Sequence, residues 1–447
     1  MGKKIRKISL SSILAAAMVF ALFPAAVAKA AANEKIEGKF SYLSGSGANS
    51  YETGRIVPFE YEDSYFDAAP DAYSHDLAKI SLALSLAAYD CNELEWLLGE
   101  IGFGQIEPSD YYLRSNEDKT KTEPENIGVA VANKKIDGCT VIAAVIRGFG
   151  YGAEWAGNFN VGTEGDFHAG FYKACGIVTD EIDSYLQRHK ISGEMKIWLT
   201  GYSRGGAAAN LAAGEICEKQ KFGDVYAYCF ETPMGVKKSS GKYTGYSGIF
   251  NIINPNDAVA KVAMAEWGFC RYGRDIYLPS PENAGRYSEL FEKMKAVYFA
   301  YRPHFQNEPD RIDAFMESKY FKGTLGAFID KLLEIAAFAM DNETYAMQAQ
   351  QKLMDSCAKA HGLDFDFMSL IASMPDVANY LFSNHLGEIN AAMENSELIF
   401  FAHYPDLCLA WMYSLDGGEL DGSFPFSGFR ACDWPYEMIL QIYRLVG

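Results

Sequence analysis

The residues Gly201-Tyr-Ser203-Arg-Gly205 end one apolar run, from Lys196 to Thr200, and open an Ala-rich one, from Ala207 to Ala213. A Gly-x-Ser-x-Gly pattern between a strand and a helix is the sequence form of a nucleophile elbow, a sharp turn that exposes a serine hydroxyl at the end of a sheet. Gly201 and Gly205 remove the two Cβ atoms that would keep strand and helix backbones apart. In a chain with 40 glycines the five-residue pattern is weak by itself, and a Gly-Ser loop with a structural role is the competing reading. The flanking strand-like and helix-like runs favour Ser203 as a nucleophile.

A serine hydroxyl is a poor nucleophile at neutral pH and needs a base, which in turn needs an orienting carboxylate. In this arrangement the chain order is serine, acid, histidine. The run Ile249-Phe-Asn-Ile-Ile-Asn-Pro-Asn-Asp257 places a carboxylate at a strand end, so Asp257 is the candidate acid. An Asn/Asp-rich turn that only stops the strand is the alternative. Four histidines follow it: His304, His361, His385 and His403. The first three fall in a helical stretch, whereas His403 follows a short apolar run and precedes Tyr404-Pro405. Elimination makes His403 the candidate base, against the plainer reading of a structural histidine.

An oxyanion formed on attack needs two backbone N–H donors. Arg204, directly after the serine, would supply one. The other would come from the loop Arg147-Gly148-Phe149-Gly150, with Phe149 as its donor. A plain glycine-rich turn competes with that reading. The spacings of a phosphate loop and of a dinucleotide-binding fingerprint are absent, and no metal site or cofactor is indicated.

The elements that must carry these residues alternate. A helix is expected over Asp71–Asp90, followed by a polar surface loop over 105–126. The runs Ile127–Asn133 and Cys139–Arg147 suggest a hairpin joined through Lys-Lys-Ile-Asp-Gly, and the second is apolar throughout, as in a strand covered on both faces. An amphipathic helix over Phe171–His189 follows, then the strand into Ser203, a helix from Arg204 to about Lys219, and strands at Val225–Phe230 and Gly248–Asn254. This alternation predicts an α/β fold with a mostly parallel central sheet flanked by helices. Residues 31–70 show no strong period. The stretch from about 283 to 395 carries several amphipathic helical segments, among them Leu290–Tyr301, and reads as a helical insertion forming a cap or lid. Leu407–Tyr413 is a further helix.

The N-terminal thirty residues read as a signal peptide: Lys3, Lys4, Arg6 and Lys7, then an apolar core from Ile13 to Leu22, then Ala28-Lys29-Ala30. An uncleaved N-terminal tether is the alternative. Cleavage after Ala30 would carry the net charge from −18 to −23. A chain so acidic does not seek nucleic acid through its overall field. The nine cysteines are widely spaced without a Cys-x-x-Cys pair, so no zinc site and no disulfide pairing is predicted. Cys139, Cys175 and Cys229, inside apolar segments, read as small buried hydrophobes. Residues 31–447 are expected to form one domain, with the insertion over the sheet.

Taken together, Val145-Ile-Arg-Gly148 with Trp155 and Asn158, Phe167-His-Ala-Gly-Phe171, Thr200-Gly-Tyr-Ser-Arg-Gly205, Ile253-Asn-Pro-Asn-Asp257 and Ala402-His403 resemble the class 3 lipase family of α/β-hydrolases. The resemblance covers about 70–280 and the region of His403. It implies an α/β-hydrolase fold, a Ser203–Asp257–His403 triad, an acyl-enzyme mechanism, and carboxylic-ester substrates, lipids among them, with transient contact at a lipid interface. It also implies that His168 is structural. Two features depart from the family pattern: Phe149 stands where a Ser or Thr usually follows the Arg-Gly pair, and the 283–395 block is long. Two other readings compete with an ester hydrolase. One is a peptidase or acyltransferase using the same triad, and the other is a non-catalytic binding protein on the same fold.

Overall fold

The computed structural model describes residues 35–45, 51–123, 125–148, 152–154, 157–158, 160–162, 165–237, 246–263, 268–279, 286–301, 383–388, 390 and 402–420. The segment expected as a signal peptide lies outside these residues, as do Phe149 and most of the insertion expected over 283–395.

The chain begins with an antiparallel ribbon, β1 (Ile36–Gly45) and β2 (Tyr51–Tyr61). Helices α1 (His75–Ala87) and α2 (Cys91–Glu100) follow, capped by the side chains of Ser74 and Asp90. Next come β3 (Gly104–Pro108), α3 (Asp110–Glu117), β4 (Val129–Ile136) and β5 (Cys139–Ile146). The segment 105–126, expected as loop, therefore holds an edge strand and a short helix. Its polarity misleads because β3 is half exposed and bulged, while α3 buries only Tyr111, Tyr112 and Ser115. The ribbon over 36–61 likewise lies in a stretch without a clear period.

The β4–β5 hairpin is tighter than expected. Its strands run to Ile136 and Cys139, leaving a two-residue turn in which Asp137 and Gly138 have φ of 48° and 89°. Two consecutive positive φ values define the turn whose twist matches that of antiparallel strands, and Asp-Gly suits it.

From β5 onward the sheet is parallel. Helix α4 (Ala169–Arg188) leads to β6 (Met195–Tyr202), α5 (Arg204–Lys219) leads to β7 (Asp224–Phe230), and the short β8 (Val236–Lys237) precedes β9 (Ile249–Ile253). Strand β10 (Phe269–Cys270) pairs with β8, and β11 (Arg274–Tyr277) pairs with β9. The seven-stranded order is β11-β9-β7-β6-β5-β4-β3. Each parallel strand lies beside its predecessor in one direction only. With right-handed crossovers, such an order sends every crossover helix to the same face.

Burial follows that geometry. Ile142, Ala144 and Ile146 of β5 and Ile197 and Leu199 of β6 pack with Phe171, Ala174, Val178 and Ile182 of α4 and the alanines of α5. Cys175 and Cys229 lie in this same layer. The alternate residues Val141, Ala143, Val145, Trp198 and Tyr202 face the opposite core. This second face cannot be covered by α4 or α5. Among the described residues it is covered by α1 and by Tyr61 and Phe66, whose rings pack on Trp198, and the same core takes in α6 (Tyr287–Tyr301), packed on β2, and α7 (Pro405–Ser414), packed on α1 and β1. Each fully buried aliphatic of β5 stabilises by about 1.5–3 kcal/mol, which explains why this strand is apolar at successive positions rather than alternating. Helix α1 is keyed to β6 by polar contacts: the Trp198 indole N–H donates to Ser81 Oγ at 2.8 Å, and Ser85 and Thr200 hydroxyls meet at 2.8 Å.

Candidate active site

The candidate site lies at the carboxyl ends of β6, β7 and β9, where the parallel strands leave the sheet. Ser203 sits between β6 and α5 with φ 56° and ψ −125°, a region that L residues rarely adopt and that stores about 1–3 kcal/mol of strain. Its backbone N–H donates to Phe230 O at 2.8 Å, which ties the turn to β7. The turn is possible because of its glycines. A Cβ on Gly201 would collide with the Gly205 carbonyl, and one on Gly205 would meet Ile146 O. The crossing of strand and helix thus has no room for an alanine at either position.

His403 arrives from the other end of the chain. It lies just before α7, where Pro405 occupies the first helical turn and Tyr404 is extended, as the residue before proline prefers. Ser203 Oγ–H donates to His403 Nε2 at 2.9 Å, and His403 Nδ1–H donates to Asp257 Oδ2 at 2.7 Å. The carboxylate thereby fixes the tautomer in which Nε2 is the acceptor. Asp257 is fully buried, whereas Ser203 and His403 keep 8% and 9% exposure. The carboxylate is therefore shut off from water while the serine and the histidine are reachable from outside. The other Asp257 oxygen accepts the Val259 N–H at 2.7 Å.

The chain position of His403 is held by two further bonds. Tyr202 Oη–H donates to His403 O at 2.9 Å, and Asn254 Nδ2–H donates to Ala402 O at 3.4 Å. Behind α7, Tyr42 of β1 donates to Asp406 at 2.6 Å, and His75 Nε2–H donates to Met412 O and Leu415 O at 3.0 and 3.1 Å.

The first-turn N–H groups of α5, including that of Arg204, have no partner within the helix, and the Ser203 side chain caps none of them. Together with the positive end of the helix dipole they suit a developing oxyanion. The Arg204 side chain does different work. Its buried guanidinium donates to Glu154 O at 2.8 Å, to Asn158 Oδ1 at 3.3 Å and to Asn126 O at 3.3 Å, tethering the loop after β5. That loop is held from its other end by Arg147, which donates to Ser115 Oγ at 3.0 Å and to the Glu154 carboxylate at 2.5 Å, while Tyr111 donates to the same carboxylate. A Cβ on Gly148 would collide with Tyr202 O, so the loop passes directly against the elbow. Phe149 itself lies outside the described residues.

His168 stands apart from this chain of bonds. Its Nδ1 accepts the Phe171 N–H at 3.2 Å and caps α4. Burial, followed by the nearby Arg204 charge, lowers its pKa to about 3, so it is neutral at physiological pH.

Two residues at the site were not singled out from the sequence. Tyr202 is the variable residue of Gly-x-Ser-x-Gly. Glu231 follows β7 directly, is fully buried, and has φ 45°. Its carboxyl accepts the Asn254 N–H at 2.9 and 3.1 Å and hydrogen-bonds to Asp257. The logic that selected Asp257, an acid closing an apolar strand after Ser203, applies equally to Glu231.

Residues 138–267 match the family model described as lipase (class 3). No curated protein matches the chain. Among solved structures, the triacylglyceride lipase of Rhizomucor miehei is 18% identical, with a TM-score of 0.33 over 46% of this chain and 82% of that one. The lipase of Rhizopus microsporus var. chinensis is 14% identical, with a TM-score of 0.32 over 46% and 75%. A triacylglycerol lipase described as having a serine-protease triad at its catalytic centre is 18% identical, with a TM-score of 0.34 over 47% and 83%. The matched segment 138–267 contains the hairpin strand β5, the elbow and the end of β9 that carries Asp257, and over this segment the chain is similar to the class 3 lipases, on a sheet of the α/β-hydrolase type.

Proposed function

We propose that the protein is an exported serine hydrolase that cleaves carboxylic esters, lipids among them, through a Ser203–His403–Asp257 triad. The observation that carries the proposal is the unbroken run of hydrogen bonds from Ser203 Oγ through His403 to Asp257. In this reading Ser203 Oγ attacks the ester carbonyl as His403 Nε2 takes its proton. Asp257 stabilises the imidazolium that forms. The Arg204 N–H, at the head of α5, donates to the tetrahedral oxyanion, with Phe149 N–H as its expected partner. His403 returns the proton to the departing alcohol, leaving Ser203 acylated. A water molecule, deprotonated by the same imidazole, then releases the acid and restores the serine.

The N-terminal basic residues, apolar core and Ala28-Lys29-Ala30 support export. The match of residues 138–267 to the lipase (class 3) model supports an ester of lipid type. Hydrolysis of short p-nitrophenyl esters by the wild type and by Ser203→Ala tests the reaction. The variant should lose turnover by roughly 10⁴-fold or more and should also lose labelling by a fluorophosphonate. Undiminished turnover in Ser203→Ala would overturn the proposal.

A further inference from the structure

Glu231 is a buried acid that the mechanism above does not use. It continues the β7–β9 ladder, its N–H donating to Ile252 O at 2.8 Å, yet its backbone is left-handed. Glycine or asparagine would occupy such a position at lower conformational cost. A long carboxylic side chain in its place is informative: strain of this kind persists where the surroundings need the side chain.

The Glu231 carboxyl touches the Asp257 carboxyl through a side-chain hydrogen bond, and it also meets the Cys408 thiol of α7. Two carboxyl groups in hydrogen-bond contact require one proton between them. The donors around them decide where it resides. Asp257 receives His403 Nδ1–H on one oxygen and Val259 N–H on the other, whereas Glu231 receives one backbone N–H shared between its two oxygens and the Cys408 S–H, a weak donor. The negative charge is better solvated on Asp257.

The titratable groups facing Glu231 from neighbouring elements are Asp257, Tyr202 and Cys408. Burial keeps the Tyr202 phenol and the Cys408 thiol neutral, so none of these supplies a cation to hold Glu231 ionised. Burial, and then the charge of Asp257, push the Glu231 carboxyl well above the usual range.

We infer that Glu231 is a positioning residue: as a neutral carboxylic acid it donates its O–H to Asp257 and holds that carboxylate in the orientation His403 Nδ1 requires. The inference deepens the proposed triad and rests on it. Glu231 transfers no proton during turnover. Its O–H shares the charge of Asp257 while the imidazolium forms and decays.

The test compares the wild type with Glu231→Ala and Glu231→Gln on p-nitrophenyl butyrate across pH, alongside infrared spectra of all three. Removing a donor to a charged acceptor should lower kcat by about 10- to 100-fold in Glu231→Ala, with KM little changed. The amide of Glu231→Gln keeps a donor, so it should recover most of that loss and leave the acid limb of kcat/KM where it is in the wild type. If Glu231 were instead an anion, Glu231→Gln would remove a negative charge near His403. The imidazolium would be disfavoured, and the acid limb would move to lower pH. That shift, or wild-type kinetics in Glu231→Ala, overturns the inference.

The infrared spectrum decides the protonation state without any turnover. A carbonyl band from a buried protonated carboxyl should be present in the wild type at pH 7 and missing in Glu231→Gln, and its absence from the wild type also overturns the inference. Should Ser203→Ala retain full turnover, the triad reading fails on that result, while this band still reports which acid holds the proton.

Discussion

The phenol of Tyr202 donates to the main-chain carbonyl of His403 at 2.9 Å, although the two residues lie 201 positions apart. The elbow thus holds the imidazole in two ways, through the Ser203 hydroxyl at the ring and through its neighbour at the backbone. Tyr202 belongs to the last residue of β6, and His403 to the turn into α7, an element of the opposite face. One hydrogen bond therefore couples the sheet to the layer that closes over it.

Tyr202→Phe removes that donor and leaves a buried carbonyl unsatisfied, a change worth about 1–3 kcal/mol. We expect a lowered midpoint of thermal unfolding, and a fall in kcat of several-fold with KM nearly constant. Wild-type kcat together with a wild-type melting midpoint would count against the coupling.

Asp257→Asn keeps the shape of the acid but not its charge, and it favours the wrong imidazole tautomer. Loss of kcat near 10⁴-fold is the expected outcome, by analogy with the general behaviour of Ser-His-Asp triads. Steady-state ester hydrolysis with circular dichroism as a folding control measures it. A loss smaller than tenfold would point to another acid serving His403.

Gly201→Ala and Gly205→Ala each push a Cβ into main-chain atoms that cannot rotate away. Overpacking of this kind costs about 1–3 kcal/mol, so both variants should unfold at clearly lower urea concentration. Gly176→Ala, on the open side of α4 where a Cβ meets nothing, is the control and should be neutral or slightly stabilising, since alanine is the better helix former by about 1 kcal/mol.

His75 gives the fold a pH dependence. Burial, and then the charge of Lys79, lower its pKa from 6.5 to about 4. Between these values the unfolded chain binds the proton that the folded chain refuses. The stabilisation is therefore complete above pH 6.5 and is lost as pH falls towards 4, with a magnitude on the order of 3 kcal/mol. His168, lowered to about 3, acts in the same direction. Urea unfolding at pH 7.5 and 5.0 should show the loss, and His75→Gln should flatten it. An unchanged slope in His75→Gln would assign the effect elsewhere.

Arg204→Lys keeps a charge but loses the planar fork that reaches Glu154 O, Asn126 O and Asn158 Oδ1. The loop after β5 should loosen, with a stability loss of about 2 kcal/mol from the unsatisfied acceptors. Hydrogen exchange over 147–160 should quicken in the variant, and equal protection in both proteins would refute the tether.

Much of this protein is written in its local sequence. The continuous apolar run of β5, the 3.6-residue spacing in α4 and the small residues of α5 each follow from a segment's own burial, so strand, helix and their alternation were legible without the fold. The elbow was legible for the same reason: Gly201 and Gly205 serve a backbone crossing only five residues long. Asp257 and His403 could be named as candidates from chain order and elimination, but their distances to Ser203 could not. Tertiary structure decided what depends on residues far apart in sequence. The one-directional strand order leaves a face that elements outside the crossovers must cover, among them α1, α7 and the β1–β2 ribbon, and covering it brings His403 to Ser203. The ribbon of β1 and β2 and the half-exposed β3 are stabilised by partners rather than by their own periodicity, which is why they left so faint a pattern. Glu231 is the clearest case. Its sequence context is that of any acid after a strand, and only the burial of two carboxyl groups against each other turns one of them into a neutral hydrogen-bond donor.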